Sequence, residues 1–426
     1  MENKTIGNLF KGDKVIWMIF FFLCMISIIE VYSASSSLSY KSGNYMGPVL
    51  RHMSILLMGL GSMICMLQVK CKYFKLVTPF ILLISGIMLL WVLFAGHSTN
   101  GAARWISFIG IQFQPSEIAK GAVVLAVAQI LSATQTKDGA DKKAFKFVLW
   151  ICIPYALAIC LENLSTAMLL CLTVLCMMII GQVSMRQIGK LVGIVSLIII
   201  IIFAGIMIFG QDKEIEAQKM GNSLTEKTVQ ASEEEPGIIK KIFHRADTWK
   251  GRIDKWLDNK PVPPEDVDLD KDAQVAHANI AIASSNIIGK GPGNSVERDF
   301  LSQAFSDFIY AIIIEELGIT GAIIVALLYI FLLFRTGQIA NRCENTFPAF
   351  LAMGLAILLV TQALFNMLVA VGIAPVTGQP LPLISRGGTS TIINCLYVGI
   401  ILSISRTAKK KETPQKGENL NKLASE

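Results

Sequence analysis

Long apolar segments recur along the chain, and they constrain its fold more than any other feature. A helix needs about 20 consecutive apolar residues to cross about 30 Å of hydrocarbon. Hydrophobic residues make up 53% of the 426 residues and charged residues only 16%. This composition excludes an ordinary soluble domain and indicates a multi-pass membrane protein. We expect ten spans, near residues 14–35, 49–69, 74–97, 115–134, 146–161, 164–181, 188–210, 306–334, 346–371 and 388–405.

The basic residues of the short loops predict the orientation of these spans. If the N-terminus is cytoplasmic, the short outer loops hold only Lys41, Arg51, Arg104 and Arg386, and the inner segments hold many more. Such a bias places both termini in the cytoplasm. The inner basic residues are Lys4, Lys11, Lys14, Lys70, Lys72, Lys75, Lys137, Lys142, Lys143, Lys146, Arg186, Lys190, Arg335, Arg342, Lys409, Lys410 and Lys411.

One long polar segment interrupts the pattern. Residues 211–305 predict a large extracytoplasmic loop between the seventh and eighth helices. The last part of this loop, AQVAHANIAIASSNIIGKGPGNS, is rich in alanine and isoleucine, and we expect it to lie along the membrane surface as an interfacial helix. The sequence therefore predicts an all-α polytopic membrane domain over 14–405. A cytoplasmic N-terminus (1–13) precedes this domain, and a disordered basic cytoplasmic tail (406–426) follows it.

Most of the polar groups that are costly in lipid fall at the predicted outer ends of the spans. A charge at the bilayer centre costs about 2.5–3.5 kcal/mol on insertion scales, so clustering in one leaflet predicts a shared polar cavity open to the outside. Glu117 and Lys120 are three residues apart on one helix and are expected to pair. The outer polar residues are Arg104, Glu117, Lys120, Glu162, Asn163, Asp307 and Arg386.

The stretch FSDFIYAIIIEELG (305–318) carries three carboxylates at the start of the eighth span. At about 100° per residue, Glu315 lies some 80° from Asp307 around a helix, and Glu316 lies opposite. Asp307 is therefore either a simple helix N-cap or a group that faces the cavity. For Glu315 and Glu316, structural pairing inside the bundle is the favoured interpretation, and a basic side chain of a neighbouring helix is the expected partner of Glu316.

Three segments resemble the signature regions of the SEDS family of polytopic glycosyltransferases. They are NGAARWISFIGIQFQPSEIAK (100–120), FSDFIYAIIIEELGITG (305–321) and GIAPVTGQPLPLISRGGTS (372–390). The resemblance covers about residues 10–405, with the segments in the family's order and spacing. The third segment, with the SDFIYA form of the second, is more similar to the division-type FtsW members than to the elongation-type RodA members.

The resemblance implies an enzyme that polymerises lipid II into peptidoglycan at the outer face of the bacterial cytoplasmic membrane, at the division septum. It places the catalytic aspartate at Asp307, where a carboxylate is suited to accept the proton of the acceptor sugar's 4-hydroxyl. The implied partners are lipid II, the glycan carried on undecaprenyl pyrophosphate, a class B penicillin-binding transpeptidase and other divisome membrane proteins. The basic residues belong to the membrane surface, and no nucleic-acid partner is expected.

The leaving pyrophosphate needs cations or N–H donors. The resemblance assigns substrate binding to Arg104, Glu117, Lys120, Asn163, Ser385, Arg386, Gly387 and Gly388. Arg104 and Lys120 have an alternative interpretation, in which they only pair with Glu117 and anchor loops. The glycines of ISRGGTS (384–390) either present N–H groups to phosphate or only permit a tight bend. No His or Cys cluster predicts a metal site, and a divalent cation (Mg²⁺ or Mn²⁺) is left open as an aid to neutralising the pyrophosphate.

The chain departs from the family pattern at three positions. Asn163 replaces an aspartate, so an acidic role there would fall to Glu162. Phe305 replaces a frequent histidine, and Arg386 replaces an uncharged residue. Three alternatives remain: an elongation-type polymerase, a lipid II transporter and a non-catalytic scaffold. A transporter would need polar groups through both leaflets and repeated halves, which the sequence does not show.

Overall fold

The computed structural model describes residues 11–34, 47–95, 97–99, 102–108, 111–137, 139–209, 273–301 and 305–408. Most of the predicted loop (210–272) and of the predicted tail (409–426) lie outside the described residues. Eleven α-helices occur in the described part of the chain. They are α1 (Lys14–Ala34), α2 (Gly47–Gln68), α3 (Cys71–Ala95), α4 (Pro115–Ala133), α5 (Lys142–Glu162), α6 (Leu164–Ile180), α7 (Met185–Phe209), α8 (Ala273–Ala283), α9 (Ile309–Ala340), α10 (Thr346–Ala370) and α11 (Thr389–Thr407).

Each predicted span overlaps one of these helices. Among the described residues, eight helices are long and apolar enough to cross a membrane, and α6 is a shorter apolar helix. The eighth span was predicted over 306–334, but α9 begins at Ile309 and continues to Ala340. The chain is therefore a mostly helical membrane protein, and ten spans with cytoplasmic termini remain a prediction.

The loop between α3 and α4 contains strands that the sequence analysis did not predict. Strands β1 (His97–Thr99), β2 (Ala102–Phe108) and β3 (Ile111–Phe113) form an antiparallel sheet in that order. A second, two-stranded pair, β4 (Gln135–Thr136) and β5 (Gly139–Ala140), joins α4 to α5. Apolar runs in β2 and β3 are too short to be distinguished from helical ends by periodicity alone. The sheet carries Arg104 next to the start of α4.

Helices α4, α10 and α11 form the centre of the bundle. In each of them 72% of the most apolar window is buried within the protein, compared with 22% in α2, α3 and α5. Small residues allow α4 to pack this closely. A Cβ atom on Gly121 of α4, for example, would lie 2.7 Å from the Tyr397 ring of α11. Polar side chains on these helices are therefore surrounded by protein rather than by lipid.

Helix α9 is kinked at Gly318, whose φ is +71°. The kink frees backbone groups, and a segment after α8 satisfies them. Lys290 N donates to Glu315 O at 3.0 Å, Gly291 N donates to Glu316 O at 2.8 Å, and Thr320 N donates to the carbonyl oxygen of Ile287 at 3.3 Å. In the hydrocarbon region of a membrane, non-helical backbone is tolerated only where other parts of the protein form hydrogen bonds with it.

Only the first part of the segment predicted as an interfacial helix is helical, and its location at the membrane surface stays a prediction. Helix α8 ends at Ala283. Its buried residues Ala278 and Ala281 pack against Phe308 and Ile312, at the start of α9. The residues after α8 form turns that insert at the α9 kink, because glycine and proline in GKGPGNS cannot continue a helix.

Candidate active site

Asp307 lies in a turn that immediately precedes α9. The N-cap residue of α9 is Phe308, which makes no side-chain cap, so the sequence interpretation of Asp307 as an N-cap is wrong. The side chain of Asp307 is half-buried. Its Oδ1 atom accepts a hydrogen bond from Ser306 Oγ at 3.0 Å. The carboxylate therefore does not cap the helix.

The loop between α10 and α11 (371–388) holds this turn in place from one side. Ser385 Oγ donates to the carbonyl oxygen of Ser306 at 2.6 Å, and Arg386 N donates to the carbonyl oxygen of Phe305 at 2.9 Å. Leu381 N in turn donates to Ser385 Oγ at 2.8 Å. The second and third signature segments are thus joined by hydrogen bonds at the two residues immediately before Asp307.

Gly378 brings the backbone of the same loop against the carboxylate. Its φ is +70°, which favours glycine. A Cβ atom at this position would lie 3.5 Å from Asp307 Oδ2. Glycine therefore meets two requirements here, a left-handed backbone and open space next to Asp307.

Asn366 of α10 forms hydrogen bonds with both the turn that carries Asp307 and the α10–α11 loop. Its Nδ2 group donates to the carbonyl oxygen of Asp307 at 2.9 Å and to that of Gln379 at 2.7 Å. Asn366 is buried, at 1% exposure. A buried amide that satisfies two backbone carbonyls fixes the position of both segments.

Arg386 supplies a positive charge near Asp307. Its guanidinium lies 5.3 Å from the centroid of the Phe305 ring, in a cation–π contact. Burial and the positive charge of Arg51 lower the pKa of Arg386, but an arginine side chain stays protonated in proteins. Phe305, which cannot transfer a proton, instead orients a cation two residues from Asp307.

Glu117 and Lys120 form a buried ion pair on α4. The distance between Lys120 Nζ and Glu117 Oε1 is 2.8 Å, and the two side chains are 0% and 3% exposed. Lys120 Nζ also donates to Gln362 Oε1 at 2.9 Å, and Gln362 Nε2 donates to the carbonyl oxygen of Pro380 at 3.2 Å. The predicted pairing is confirmed. Lys120 would have to leave Glu117 to contact a substrate.

Asn163 and Glu162 lie between α5 and α6. Asn163 is the N-cap of α6, and its side chain accepts hydrogen bonds from Ser165 N at 3.1 Å and Thr166 N at 3.4 Å. Gln379 Nε2 donates to Thr166 Oγ1 at 2.8 Å, which connects this cap to the α10–α11 loop. Glu162 is also buried, at 1% exposure. Asn163 therefore performs the capping that an aspartate would perform equally well.

The glycine turn before α11 has an open side. Gly388 is the N-cap residue of α11 with φ +57°, and a Cβ atom there would meet nothing within 4 Å. Gly387 N donates to the carbonyl oxygen of Ser385 at 2.8 Å, which closes the bend. Thr389 Oγ1 donates to the carbonyl oxygen of Gln112 at 3.2 Å, so the turn also contacts strand β3. Arg104 lies in the neighbouring strand β2, and its side chain is outside the described part of the structure.

Glu315 and Glu316 do not join this site. Glu315 Oε1 pairs with Lys290 Nζ at 2.6 Å. Glu316 accepts hydrogen bonds from Gly293 N and Ser295 N, and its Oε1 lies 3.9 Å from the Arg298 guanidinium. Because Asp307 precedes the helix, the angular argument that placed Glu315 on its face is wrong. The expected structural pairing is confirmed, and the basic partner of Glu316 comes from the segment after α8.

Comparisons with known proteins identify the family. Residues 13–221 and 236–410 match the profile of the FtsW, RodA and SpoVE family, described as cell cycle proteins. The chain belongs to this family. A relative from Escherichia coli, the peptidoglycan glycosyltransferase MrdB, is 30% identical over 95% of this chain and 96% of its own length. A probable peptidoglycan glycosyltransferase FtsW from Aliivibrio salmonicida is 27% identical over 93% of this chain and 90% of its own length.

Solved structures of similar proteins have the same fold. A chain of a peptidoglycan synthase complex, solved in a study of how polymerization and crosslinking are coordinated, has a TM-score of 0.66 at 22% identity. The match covers 93% of this chain and 98% of that chain. The rod shape determining protein RodA of Thermus thermophilus has a TM-score of 0.62 at 19% identity, covering 95% and 99%. At these identities the likeness concerns the fold alone.

Four residues of this SEDS-family site were missed by the sequence analysis. Gln362 connects Lys120 to the α10–α11 loop, and Asn366 connects Asp307 to it. Within that loop, Gly378 lies against Asp307, and Gln379 bonds to Thr166 of α6. A signal was present for two of them, because Gln362 and Asn366 are four residues apart in an apolar span, and polar groups there are costly. Gly378 and Gln379 lie in a loop whose path the sequence did not reveal.

A divalent cation has few ligands in the described part of this family member. No group of three or more His, Cys, Asp or Glu residues there is arranged to hold a metal ion. The guanidinium of Arg386, which lies against the ring of Phe305 two residues before Asp307, is a cation, whereas Mg²⁺ and Mn²⁺ prefer carboxylate and carbonyl oxygens. The described residues therefore suit an anionic ligand better than a metal.

Proposed function

We propose that this chain polymerises lipid II into glycan strands at the outer face of the cytoplasmic membrane, with Asp307 as the general base. The family and its relatives named peptidoglycan glycosyltransferase support the reaction class. The observation that supports the catalytic residue is the position of Asp307. Its half-buried carboxylate lies in a turn fixed by Ser385 and Asn366, beside a glycine that leaves space.

The reaction needs a proton acceptor and a stabilised leaving group. The 4-hydroxyl of the acceptor sugar attacks the anomeric carbon of the donor, and its proton passes to the Asp307 carboxylate. The bond between the anomeric carbon and the phosphate oxygen breaks, and undecaprenyl pyrophosphate leaves with the bonding electrons. A carboxylate within about 3 Å of the hydroxyl is suited to this transfer, and its fixed position removes most of the entropic cost of alignment.

Arg386 is the described cation best placed to stabilise the pyrophosphate. It is half-buried and directed by the Phe305 ring, two residues from Asp307, and a guanidinium binds phosphate through two parallel hydrogen bonds. The glycine turn is open at Gly388, where a Cβ atom would meet nothing within 4 Å, and its backbone is a candidate for a second contact. Arg104 remains a proposed third contact. The geometry favours a different role for Lys120, since it is held by Glu117 and Gln362 beneath the loop.

The positive-inside pattern supports placing this site on the extracytoplasmic side. There it would share its substrate and product with a class B penicillin-binding transpeptidase, and the likeness to a chain of a peptidoglycan synthase complex fits such a partner. We propose a role in septal wall synthesis because of the PVTGQPLPLISRGGTS and SDFIYA segments. Elongation is the second candidate. It is favoured by the 30% identity to MrdB, against 27% to the Aliivibrio FtsW.

The test is polymerisation of lipid II by the purified full-length protein, alone and with its transpeptidase. The variant Asp307→Asn keeps the shape of the side chain and removes its basicity, so glycan strands should fall to background while the unfolding midpoint is unchanged. The matched control is Asp299→Asn, an aspartate that is 53% exposed on the neighbouring turn and should leave the rate unaltered. Normal polymerisation by Asp307→Asn would refute the assignment of the base. Transport of lipid II without polymerisation by the unaltered protein would refute the enzyme.

A further inference from the structure

A cavity of about 470 Å³ lies at the end of the bundle opposite Asp307. Helices α3 and α10 begin at this cavity, and helices α2 and α11 end there. Its volume is within the range of small-molecule sites. The orientation predicted from the basic loops places it at the cytoplasmic surface of the membrane. The proposed polymerisation does not use any of the residues that line it.

The cavity is lined by four cations. They are Lys70, Lys72, Lys75 and Arg406, and the residues that line the cavity include no carboxylate. All four residues are exposed, and their like charges repel each other across one concave surface. An anion inside the cavity would relieve this repulsion.

Two of the cations are held in position by the protein. Arg406 donates from Nη1 to the carbonyl oxygen of Leu67 at 2.8 Å, and Lys75 Nζ lies 4.9 Å from the centroid of the Phe347 ring, which also lines the cavity. These contacts fix the two side chains without neutralising their charge. The positive groups are therefore arranged before any ligand arrives, which lowers the entropic cost of binding an anion.

The helix termini add to this field. The first residues of α3 and α10, among them Cys71 and Phe347, line the cavity. The N-terminal turn of a helix carries partial positive charge and unpaired N–H groups, which favour anions. Two such termini and four basic side chains converge on one space. This combination is suited to a phosphate group.

The surroundings of the cavity indicate what carries the phosphate. On α3, directly beyond Lys72 and Lys75, Leu76 is 66% exposed and Phe80 is 61% exposed. In a membrane protein such exposed apolar side chains contact acyl chains. A ligand with a phosphate group and an apolar tail could place the phosphate among the cations of the cavity and the tail against the apolar side chains of α3. Basic pockets at the cytoplasmic ends of membrane helices bind anionic lipid headgroups.

We propose that this cavity is a binding site for the phosphate headgroup of an anionic phospholipid of the inner leaflet. The lipid joins the starts of α3 and α10 to the ends of α2 and α11. Since α10 and α11 also carry the loop that holds Asp307, occupancy of the cavity stabilises the helices that position the candidate active site. Free phosphate shares the same chemistry but has no tail to contact α3, and the test separates the two.

The experiment measures the unfolding midpoint of the full-length protein in an uncharged detergent during titration with phosphatidylglycerol. The unaltered protein should be stabilised by this lipid, and neither phosphatidylcholine nor inorganic phosphate should reproduce the effect. In a variant with Lys72→Gln and Lys75→Gln, the lipid concentration at half-effect should rise by roughly 30-fold, because each cation near an anionic headgroup contributes about one kcal/mol. A variant with Lys72→Arg and Lys75→Arg should retain the effect.

The matched control carries Lys142→Gln and Lys143→Gln. These exposed lysines begin α5 at the same end of the bundle and do not line the cavity. The control should respond to phosphatidylglycerol like the unaltered protein. An equal loss in the control would show a diffuse surface charge and refute the site. Equal stabilisation by inorganic phosphate, an adventitious ion only, would refute the lipid.

Discussion

The side-chain amide of Asn366 donates a hydrogen bond of 2.9 Å to the backbone carbonyl of Asp307, from a position buried within α10. A second hydrogen bond from the same nitrogen reaches the carbonyl oxygen of Gln379 at 2.7 Å. The turn that carries the proposed base and the loop that faces it are therefore tied to one atom. The geometry of the site depends on a residue that touches no substrate.

Replacement of Asn366 should slow catalysis without preventing substrate binding. The variant Asn366→Leu keeps a similar size and removes both hydrogen bonds, so Asp307 is no longer fixed. A displacement of about 1 Å costs on the order of 100-fold in rate. We expect kcat for lipid II polymerisation to fall by about that factor while KM changes little. Thr361→Val, on the same helix, removes only hydrogen bonds to Ile357 O and Leu358 O within that helix and should behave as the unaltered protein. A KM effect of the same size as the kcat effect would contradict positioning.

Substitution of Gly378 can separate the effect of backbone strain from the effect of a methyl group placed beside Asp307. Gly378→Ala places a Cβ atom 3.5 Å from Asp307 Oδ2 at a φ of +70°, and Gly372→Ala introduces the same strain at φ +76°, with its nearest atom 3.9 Å away on Asn279. Both variants should lose about 1–2 kcal/mol of unfolding free energy from the left-handed backbone. Only Gly378→Ala should also lower the polymerisation rate, by about tenfold or more, because the methyl group occupies space beside the carboxylate. Equal rates in the two variants would show that the space is not used.

The sequence predicted the helical bundle because hydropathy reports directly on whether a segment can lie in lipid. The pairing of Glu117 with Lys120 was also predictable, since both residues belong to one helix. Asp307 was predicted as the candidate base, but as the first residue of a helix. The position of a helix start depends on the following residues, and the structure has Phe308 as an N-cap without a side-chain hydrogen bond.

Contacts between distant segments could not be read from the sequence. The partners of Glu315 and Glu316 lie some 20 residues earlier, in a loop whose path depends on the kink at Gly318. The same holds for Gly378, which meets Asp307 across 71 residues (378 − 307). Periodicity describes one element at a time, whereas these contacts depend on how elements pack. The strands between α3 and α4 were missed because each is short and apolar runs of that length are ambiguous.

We expect the buried ion pair of Glu117 and Lys120 to stabilise the folded protein rather than to bind the charged substrate. In Lys120→Met, a fully buried carboxylate loses its cation, and removal of one partner of a buried pair costs about 3–5 kcal/mol. In the double variant Glu117→Gln with Lys120→Met, most of that loss should be recovered. Chemical unfolding in detergent measures both. The pair of Arg298 and Asp299, at 3.8 Å and with Asp299 53% exposed, provides the control, since Asp299→Asn should cost less than about 1 kcal/mol.

The same double variant separates the two roles of Lys120. If Lys120 serves only to neutralise the buried Glu117, the double variant should regain stability and most of its polymerisation activity. A stable but inactive double variant would instead show that the ammonium group contacts the leaving pyrophosphate, and would contradict the structural role.

The contact between Gly289 and Gly318 should be essential for docking the segment after α8. A Cβ atom on Gly318 would lie 2.4 Å from the carbonyl oxygen of Ile287, and one on Gly289 would lie 2.3 Å from that of Glu316. Both glycines also have positive φ, at +71° and +89°. Each alanine variant should therefore lose about 2–4 kcal/mol of unfolding free energy, from backbone strain together with steric overlap.

The combination of the two variants distinguishes this contact from general strain. Once one alanine has displaced the segment, the second should add little. The double variant of Gly289→Ala and Gly318→Ala should therefore lose far less unfolding free energy than the sum of the losses in the two single variants. Gly61→Ala, in α2 with nothing within 4 Å of the added methyl group, should be neutral or gain up to about 1 kcal/mol. Limited proteolysis should cut the segment at 284–296 more rapidly in either single variant than in the control. Full additivity with unchanged proteolysis would mean that the two glycines act on separate parts of the protein, because a shared contact can be broken only once.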